Sequence, residues 1–529
     1  EFLQESSYEL APTPRQQMYI QRLYLYLNMT KPSQYLFLSY CQVNNEGKSV
    51  RPAYLIDTMH KLFPDIRIRK PELRGLEEQI KTKRSGLGYL TDMLRGYAAG
   101  NMEEKEEKKL FTLYHIYRED PEFAQEAERL KEAAFYCYRN HPLGREIAKL
   151  LYGSLLAGSV SRLEKYASCA YAHFLQYGLS LKEREEYGFQ SVDMGNVFHG
   201  VLELFGDKLR EQGYTWFDFT EQIAEELLGE ALEAYTAAYG QTVLYSTARN
   251  EYAIKRMHRI LKRAVVTLQY QLKKGSFLPE KFELSFSMTR ELERVDLALS
   301  GRERMRLQGR IDRIDTCEKE DRVYVKIIDY KSGKRRFDLA AVYYGLELQL
   351  VTYMNAALEI ERKKYPKKEV VPAALLYYHV TDPMIKAEEE LTPEEINERL
   401  RKELRMTGTV NKDDAVINLL DGEFTDKSDI VPVERKKDGS CSARSSVLTQ
   451  EELQEISDYV ERKIKQIGTE ILEGNIEVNP CRQGNSSSCD YCPFLRVCGF
   501  DARIEGYHWH NLEALEKEQV LERMREEKK

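Results

Sequence analysis

Two aspartates and a lysine mark the part of this sequence best suited to chemistry. Residues 307–315 read LQGRIDRID and residues 323–334 read VYVKIIDYKSGK. Both runs alternate apolar and polar residues and are rich in Ile and Val, which predicts adjacent β-strands joined by a hairpin turn over residues 316–322. Antiparallel pairing brings Asp312 beside Asp329. Lys331, two residues on, faces the same side, because side chains repeat with period two along a strand. An Asp-x-Lys pair is ordinarily a solvated surface pair. Here Asp329 ends the largely apolar run 325–328, so its strand is expected to be mostly buried, and a buried carboxylate needs a cationic partner. Asp312 is the natural co-ligand, since hard divalent ions such as Mg2+ take oxygen donors. Two carboxylates and a lysine on one face can hold such an ion and a water beside an anionic substrate. That arrangement suits phosphodiester cleavage.

The elements around this hairpin must position it. A helix is expected from near Asp193 in DMGNVFHGVLELF, with His199 and Glu203 four apart on one face. Such a histidine is ordinarily a core or capping residue. Long amphipathic helices are expected over 217–238 and 250–273, then a strand over 281–287 (KFELSFS) that begins the sheet. Its Glu283 is either a further acidic member of the site or an outward polar residue. A helix over 339–358 presents Gln349 and Tyr353 at i and i+4, and a strand over 371–380 completes a mixed sheet. Thr392-Pro393-Glu394-Glu395 and Thr449-x-x-Glu452 open two further helices. The polar segment 426–446 between them reads as a flexible insertion. Upstream, residues 161–177 form a helix opened by a Ser161-x-x-Glu164 capping box and stopped by Gly178, with Cys169 on it. A strand-like stretch then runs to Phe189.

Cysteine usage adds a second candidate centre. The spacing Cys489-x2-Cys492-x5-Cys498 is a strong metal signal. Cys481 would complete a compact tetrahedral site of the kind zinc takes, whereas Cys169 on its apolar helix reads alone as a small core residue. Nine cysteines is an odd number, and their clustering suits metal ligation in a reducing cytosol better than a disulfide framework. Cys41, Cys137, Cys317 and Cys441 read as ordinary.

At 529 residues the chain can hold two or more domains with sizeable cores. Its net charge of −7 excludes a uniformly basic nucleic-acid binder, so any DNA groove must be locally basic. No apolar run reaches membrane-spanning length, and no charged-then-apolar leader is visible. Glu1 in place of an initiator methionine suggests a segment of a longer product. Residues 21–30 predict a helix and residues 35–41 (YLFLSYC) a buried strand; residues 76–156 read as charged helices with solvated faces.

The order His199, Asp312, Asp329-Tyr330-Lys331 and Gln349-x-x-x-Tyr353 resembles the RecB-like branch of the PD-(D/E)XK nucleases. With the cysteines, it resembles the C-terminal half of the AddB-type chains of AddAB helicase–nucleases. The resemblance implies an α/β fold, with a restriction-endonuclease-like core of a mixed sheet flanked by helices. It implies the end of a degenerate superfamily 1 helicase lobe over 1–75 and a helical linking region over 76–156. A nuclease domain over 157–505 closed by a four-cysteine cluster and a charged C-terminal helix over 506–529 would follow. The family places a metal-ligating histidine in the Gly-x-x-x-His context matched by Gly195 and His199. Expected ligands of Mg2+ or Mn2+ are therefore His199, Asp312, Asp329 and the carbonyl of Tyr330, with Lys331 orienting the water and Gln349 and Tyr353 positioning the strand. The family's fourth thiolate comes from the helix matching Cys169, so Cys169, Cys489, Cys492 and Cys498 are expected to hold a structural [4Fe–4S] cluster. Lys31 stands where the helicase family has its nucleotide-sensing arginine, and lysine does not replace that fork. No ATP hydrolysis is expected of this chain. The implied function is exonucleolytic processing of double-strand breaks for recombination, on single-stranded DNA with 5′-ended polarity, beside an AddA helicase partner in the cytoplasm. A free-standing RecB-like exonuclease and a non-catalytic DNA-binding scaffold are the rival readings.

Overall fold

Alternating β-branched and aromatic residues build a six-stranded mixed sheet, and that sheet carries the candidate site. The computed structural model describes residues 11–44, 48–68, 80–184, 188–239, 244–286, 296–300, 303–333, 336–385 and 391–528. The chain divides into two compact units, Glu1–Phe135 and Tyr136–Lys529. Among the described residues no helix is long and apolar enough to cross a membrane.

In the first unit, helices Lys83–Ala98, Glu104–Glu119 and Ala124–Ala134 pack around Leu90, Leu94, Leu110 and Tyr117. The helix expected over 21–30 is part of Pro14–Met29, opened by a capping box between Thr13 and Gln16. The strand expected over 35–41 is absent, and Tyr35 and Phe37 are exposed. A buried strand needs neighbours to take its backbone N–H and C=O groups. Among the described residues of this unit, only the isolated bridge Val43–Ser49 offers strand pairing.

The second unit is layered, helices over both faces of the sheet. In chain order its main elements are α1 (Val160–Ser168), α2 (Ser191–Glu211), α3 (Glu221–Ala238) and α4 (Ala248–Lys273). Then come β1 (Leu278–Ser285), β2 (Arg310–Lys319), β3 (Arg322–Lys331) and α5 (Gln349–Lys364). The series ends with β4 (Glu369–His379), β5 (Thr407–Asn411), β6 (Val447–Leu448) and α6 (Gln450–Leu472). The strands lie side by side in sequence order. β3/β4 and β5/β6 are parallel and the other pairs antiparallel. One core joins α2, α3 and α4 to Tyr324, Ile328, Tyr330 and Tyr378. The other joins α1, α5 and α6 to Val323, Val325, Ile327 and Leu375. The two faces of β3 thus alternate as the period-two pattern requires. A Cβ at Gly200 would lie 1.9 Å from the Tyr235 ring, so glycine there sets the close α2–α3 approach.

Several local expectations change. The hairpin turn tightens from seven residues to Glu320 and Asp321, because pairing persists to Lys319–Arg322 and Glu320 adopts φ +53. The helix over 161–177 breaks at Cys169, whose backbone is extended, and continues as Ala170–His173 and a π-turn over Phe174–Gly178. Its cap is Ser159 rather than Ser161. The described residues between 179 and 189 form no strand. The helix over 339–358 is split into Leu339–Tyr343 and α5, with Gly345 at φ +80 between them. The segment 426–446 is packed rather than loose: Ile430, Val431 and Val433 enter the core, and Ser428 hydrogen-bonds the buried Asp421 carboxylate. The C-terminal helix is Lys517–Glu526, seated on the α6 side through Val520, Leu521 and Met524.

A buried ion-pair cluster crosses the central hairpin. Asp315 sits opposite Lys326 in register, with their charged atoms 2.9 Å apart. The Asp315 carboxylate also accepts a two-pronged bond from Arg313, at 2.6 and 2.9 Å. Arg313 lies 5.4 and 5.6 Å from the rings of Trp216 and Phe282. Arg313 and Asp315 are fully buried. Removing Asp315 strands both cations, so Asp315→Ala should cost about 3–5 kcal/mol in chemical denaturation. Burial opposes the Asp315 charge, but Arg313 and Lys326 outweigh it and hold its carboxyl below the usual range. The contribution is therefore present above an ordinary carboxylate pKa of about 4 and lost as pH falls through the lower folded value. Wild-type stability should decline on acidification there, and the Asp315→Ala protein should show less of that decline.

Candidate active site

Register brings three carboxylates into a row. On β1 and β2, Phe282 pairs with Arg313 and Leu284 with Ile311, which places Glu283 across from Asp312. On β2 and β3, Arg313 pairs with Ile328, which places Asp312 across from Asp329. All three are buried. α2 lays His199 over this row, with Nδ1 3.3 Å from both Glu283 Oε1 and Asp312 Oδ1. Ligand atoms of His199, Glu283 and Asp312 all lie within 4.8 Å of one another. An imidazole nitrogen with carboxylate oxygens is a donor set for Mg2+ or Mn2+. The charge balance agrees. Burial works against a charged His199, yet its bonds to Asp312 and Glu283 raise it to about 10, so this cluster draws positive charge. A divalent cation would fit where the proton sits.

The remaining expected residues each have a definite place. Asp329 is held by Lys331, 2.5 Å from its Oδ2, and by Gln349, whose Nε2 donates to Oδ1 at 3.1 Å. Burial and the neighbouring Asp312 charge push Asp329 well above the usual carboxylate range, against the pull of Lys331 and His199. The Tyr330 N–H donates to Asp312 Oδ2 at 2.7 Å, and the Tyr330 ring lies edge-on to His199. Gln349 also accepts from Lys331 Nζ at 3.3 Å and donates to Tyr353 Oη at 3.0 Å. Tyr353 is buried against Phe286, so it props Gln349 from within instead of offering its ring to a nucleic acid strand. Gly195, His199, Tyr330, Lys331 and Ser332 line one open pocket. Glu203 is half-buried and feels the Glu283 charge, which with burial raises its carboxyl. Among the described residues no hydrogen bond or ion pair joins it to the row.

Glu283, ambiguous from alternation, belongs to the cluster. It adopts φ +48, unusual for a non-glycine residue, and Arg310 holds its Oε2 at 2.6 Å. The available signal was register: counted outward from the hairpin, Glu283 falls in the Asp312–Asp329 row.

The cysteines gather elsewhere. Cys169, Cys489, Cys492 and Cys498 line one small pocket with apolar neighbours including Leu175, Val478 and Phe494. The segment after α6 zips onto the end of α1: Asn479 accepts from the Ala170 N–H, Glu477 O from the Tyr171 N–H, and Ser168 O from the Ser488 hydroxyl. Burial, then the adjacent Cys169, Cys492 and Cys498, push the Cys489 thiol to about 12. Thiolates gathered in one pocket repel one another, so holding four there needs a cationic centre. Cys481 does not line this pocket; its Sγ lies 3.2 Å from Ala167 O and 3.6 Å from His510 Nδ1.

Comparison with known proteins agrees with this geometry. The chain is 38% identical over 530 residues to the B subunit of an ATP-dependent helicase/deoxyribonuclease of Lachnoclostridium phytofermentans, covering 98% of this chain and 44% of the relative. It is 35% identical over 508 residues to the like-named protein of Alkaliphilus metalliredigens, covering 95% and 44%. The chain thus spans less than half the length of these curated relatives. Residues 157–499 match the PD-(D/E)XK nuclease superfamily, and they contain the row of carboxylates, His199, Lys331, Gln349 and the four clustered cysteines. This chain belongs to the PD-(D/E)XK nuclease superfamily.

Proposed function

We propose that this chain is the nuclease-bearing part of an AddB-type component of a helicase–nuclease, and that it hydrolyses DNA phosphodiesters with Mg2+ or Mn2+. The observation that carries this reading is the convergence of the Glu283–Asp312–Asp329 row with His199 and Lys331, which themselves line one open pocket. His199, Glu283 and Asp312, with Asp329 and the Tyr330 carbonyl alongside, would hold the metal. When bound, such an ion lowers the pKa of a water and offsets phosphate charge. Lys331 supplies a fixed cation beside Asp329, suited to orienting that water and meeting negative charge as it develops. Gln349 fixes both of these side chains. Groups that recognise phosphate rather than bases make cleavage indifferent to sequence and weaker at high salt. The substrate is a single strand delivered by an AddA-type partner, with the 5′-ended strand cut, during double-strand break processing in the cytoplasm. The first 75 residues are read as the end of a degenerate helicase lobe without ATPase activity.

Labelled single-stranded DNA tests this directly. With Mg2+, and with the helicase partner added, cleavage should fall on the order of 10^3-fold in Asp329→Ala, with DNA binding retained. Equal cleavage by the two proteins would remove the nuclease assignment. Binding without any cleavage would favour a scaffold. Comparing 5′- and 3′-labelled strands sets the polarity.

The same reading gives the cysteine pocket a structural [4Fe–4S] cluster held by Cys169, Cys489, Cys492 and Cys498. Its support is the apolar pocket that these four thiols share and that Cys481 does not line. Protein purified without oxygen should be brown and contain iron and sulfide. Cys492→Ser should lose both together with thermal stability, whereas Cys481→Ser should keep them. Zinc in place of iron would overturn the assignment.

A further inference from the structure

α5 begins without a cap of its own. Leu348 at its N-cap has no side-chain hydrogen bond to the helix, and the first turn contains no acidic residue. A helix start leaves N–H groups that need acceptors, and its positive end favours an anion. The acceptor comes from 184 residues away. Glu164 Oε1, on α1, takes the N–H of Leu348 at 2.8 Å and of Gln349 at 3.2 Å. Gln349 is the first residue of α5, and its amide fixes Asp329, Lys331 and Tyr353. α1 in turn ends at Cys169, where the C-terminal segment is zipped on. One carboxylate therefore links the helix that enters the cysteine pocket to the residue that orients the candidate catalytic pair.

We infer that Glu164 is a positioning residue for the nuclease centre: by capping α5 it sets the place of the Gln349 amide, and through it the geometry of Asp329 and Lys331. This rests on the nuclease reading above. Among the described residues Glu164 makes no hydrogen bond or ion pair with Asp329 or Lys331, so its effect on the pair passes through the start of α5 that it caps. Small displacements of such groups are felt in turnover, while strand binding depends on other contacts.

A double-mutant cycle in the full-length polypeptide, assayed with its helicase partner and Mg2+ on single-stranded DNA, tests this. Glu164→Ala should lower kcat roughly ten- to a hundredfold, with KM for DNA within about twofold. In a Gln349→Ala background it should lower kcat no further, because the route is already cut. Glu164→Gln retains an acceptor oxygen and should restore most of the rate. Hydrogen exchange in the peptide spanning residues 346–353 should quicken in Glu164→Ala and remain slow in Glu164→Gln. If Glu164→Ala is too unstable to assay, Glu164→Asp, whose carboxylate is one methylene short, runs the same cycle. Multiplicative losses in the double mutant would overturn the inference, as would a wild-type rate in a Glu164→Ala protein whose 346–353 amides exchange faster. Wild-type cleavage unaffected by Asp329→Ala would instead signal failure of the nuclease reading itself.

Discussion

The structure depends on the register of one hairpin, and the Asp315–Lys326 pair pins it. A strand that slips by one residue turns every side chain to the opposite face. Here slippage would separate the buried Asp315 carboxylate from the buried Lys326 ammonium on the neighbouring strand, at a cost far above that of a misplaced apolar contact. The same register sets Asp312 across from Asp329 and Glu283 across from Asp312. The sequence GRIDRID therefore carries two aspartates with different work. Asp315 faces the α2–α4 core and fixes alignment, while Asp312, three residues earlier, faces the pocket that alignment creates.

Around this hairpin the fold uses long-range polar contacts where helices would otherwise end unsupported. α2 brings His199 over the row from the side of one core, and α5 brings Gln349 from the side of the other. The two helices enclose the end of the sheet, so the site closes only when both cores are packed. α5 starts shortly after the helix break at Gly345, and its N-cap residue Leu348 supplies no side-chain cap. Its placement is set by α1, and α1 is set by the C-terminal segment lying across its end at Ala170 and Ser168. Residues more than 300 positions apart thus share responsibility for one amide group.

This layering explains what could be read beforehand. Asp312, Asp329 and Lys331 were legible because strand periodicity is local and strong, and a charge at the end of an apolar run has few structural uses. The Thr392 and Thr449 helix starts were legible from capping chemistry. Cys169 was placed by resemblance, not by its own surroundings. Glu283 was not legible from alternation alone, since φ +48 breaks the pattern that alternation assumes. Glu164 looked like half of a local capping box, but it caps a different helix across the molecule. Residues 35–41 have strand composition without a strand partner, and composition cannot supply one. Tyr353 was correctly placed four residues from Gln349, yet spacing carries no information on depth, and the ring is interior.

The row Glu283–Asp312–Asp329 is itself an argument about purpose. Like charges directly opposite on neighbouring strands destabilise a sheet, and burial makes their repulsion stronger. A fold seeking stability alone would alternate their sign, as it does nearby with Asp315 and Lys326. Instead the row is left partly compensated: Arg310 serves Glu283, Lys331 serves Asp329, and the central Asp312 has the His199 imidazole and the Tyr330 N–H. The Tyr330 N–H brings only a partial charge, and the charge on His199 is a proton held by Asp312 and Glu283, in the place a metal ion would take. The shortfall of positive charge falls where His199, Glu283 and Asp312 offer convergent ligand atoms. Strain of this kind persists when the surrounding structure over-determines it, and here the buried ion pairs and the capped helix do so. The carboxylates are kept together at a cost to stability, and a divalent cation bound there would relieve that cost and favour a phosphate nearby.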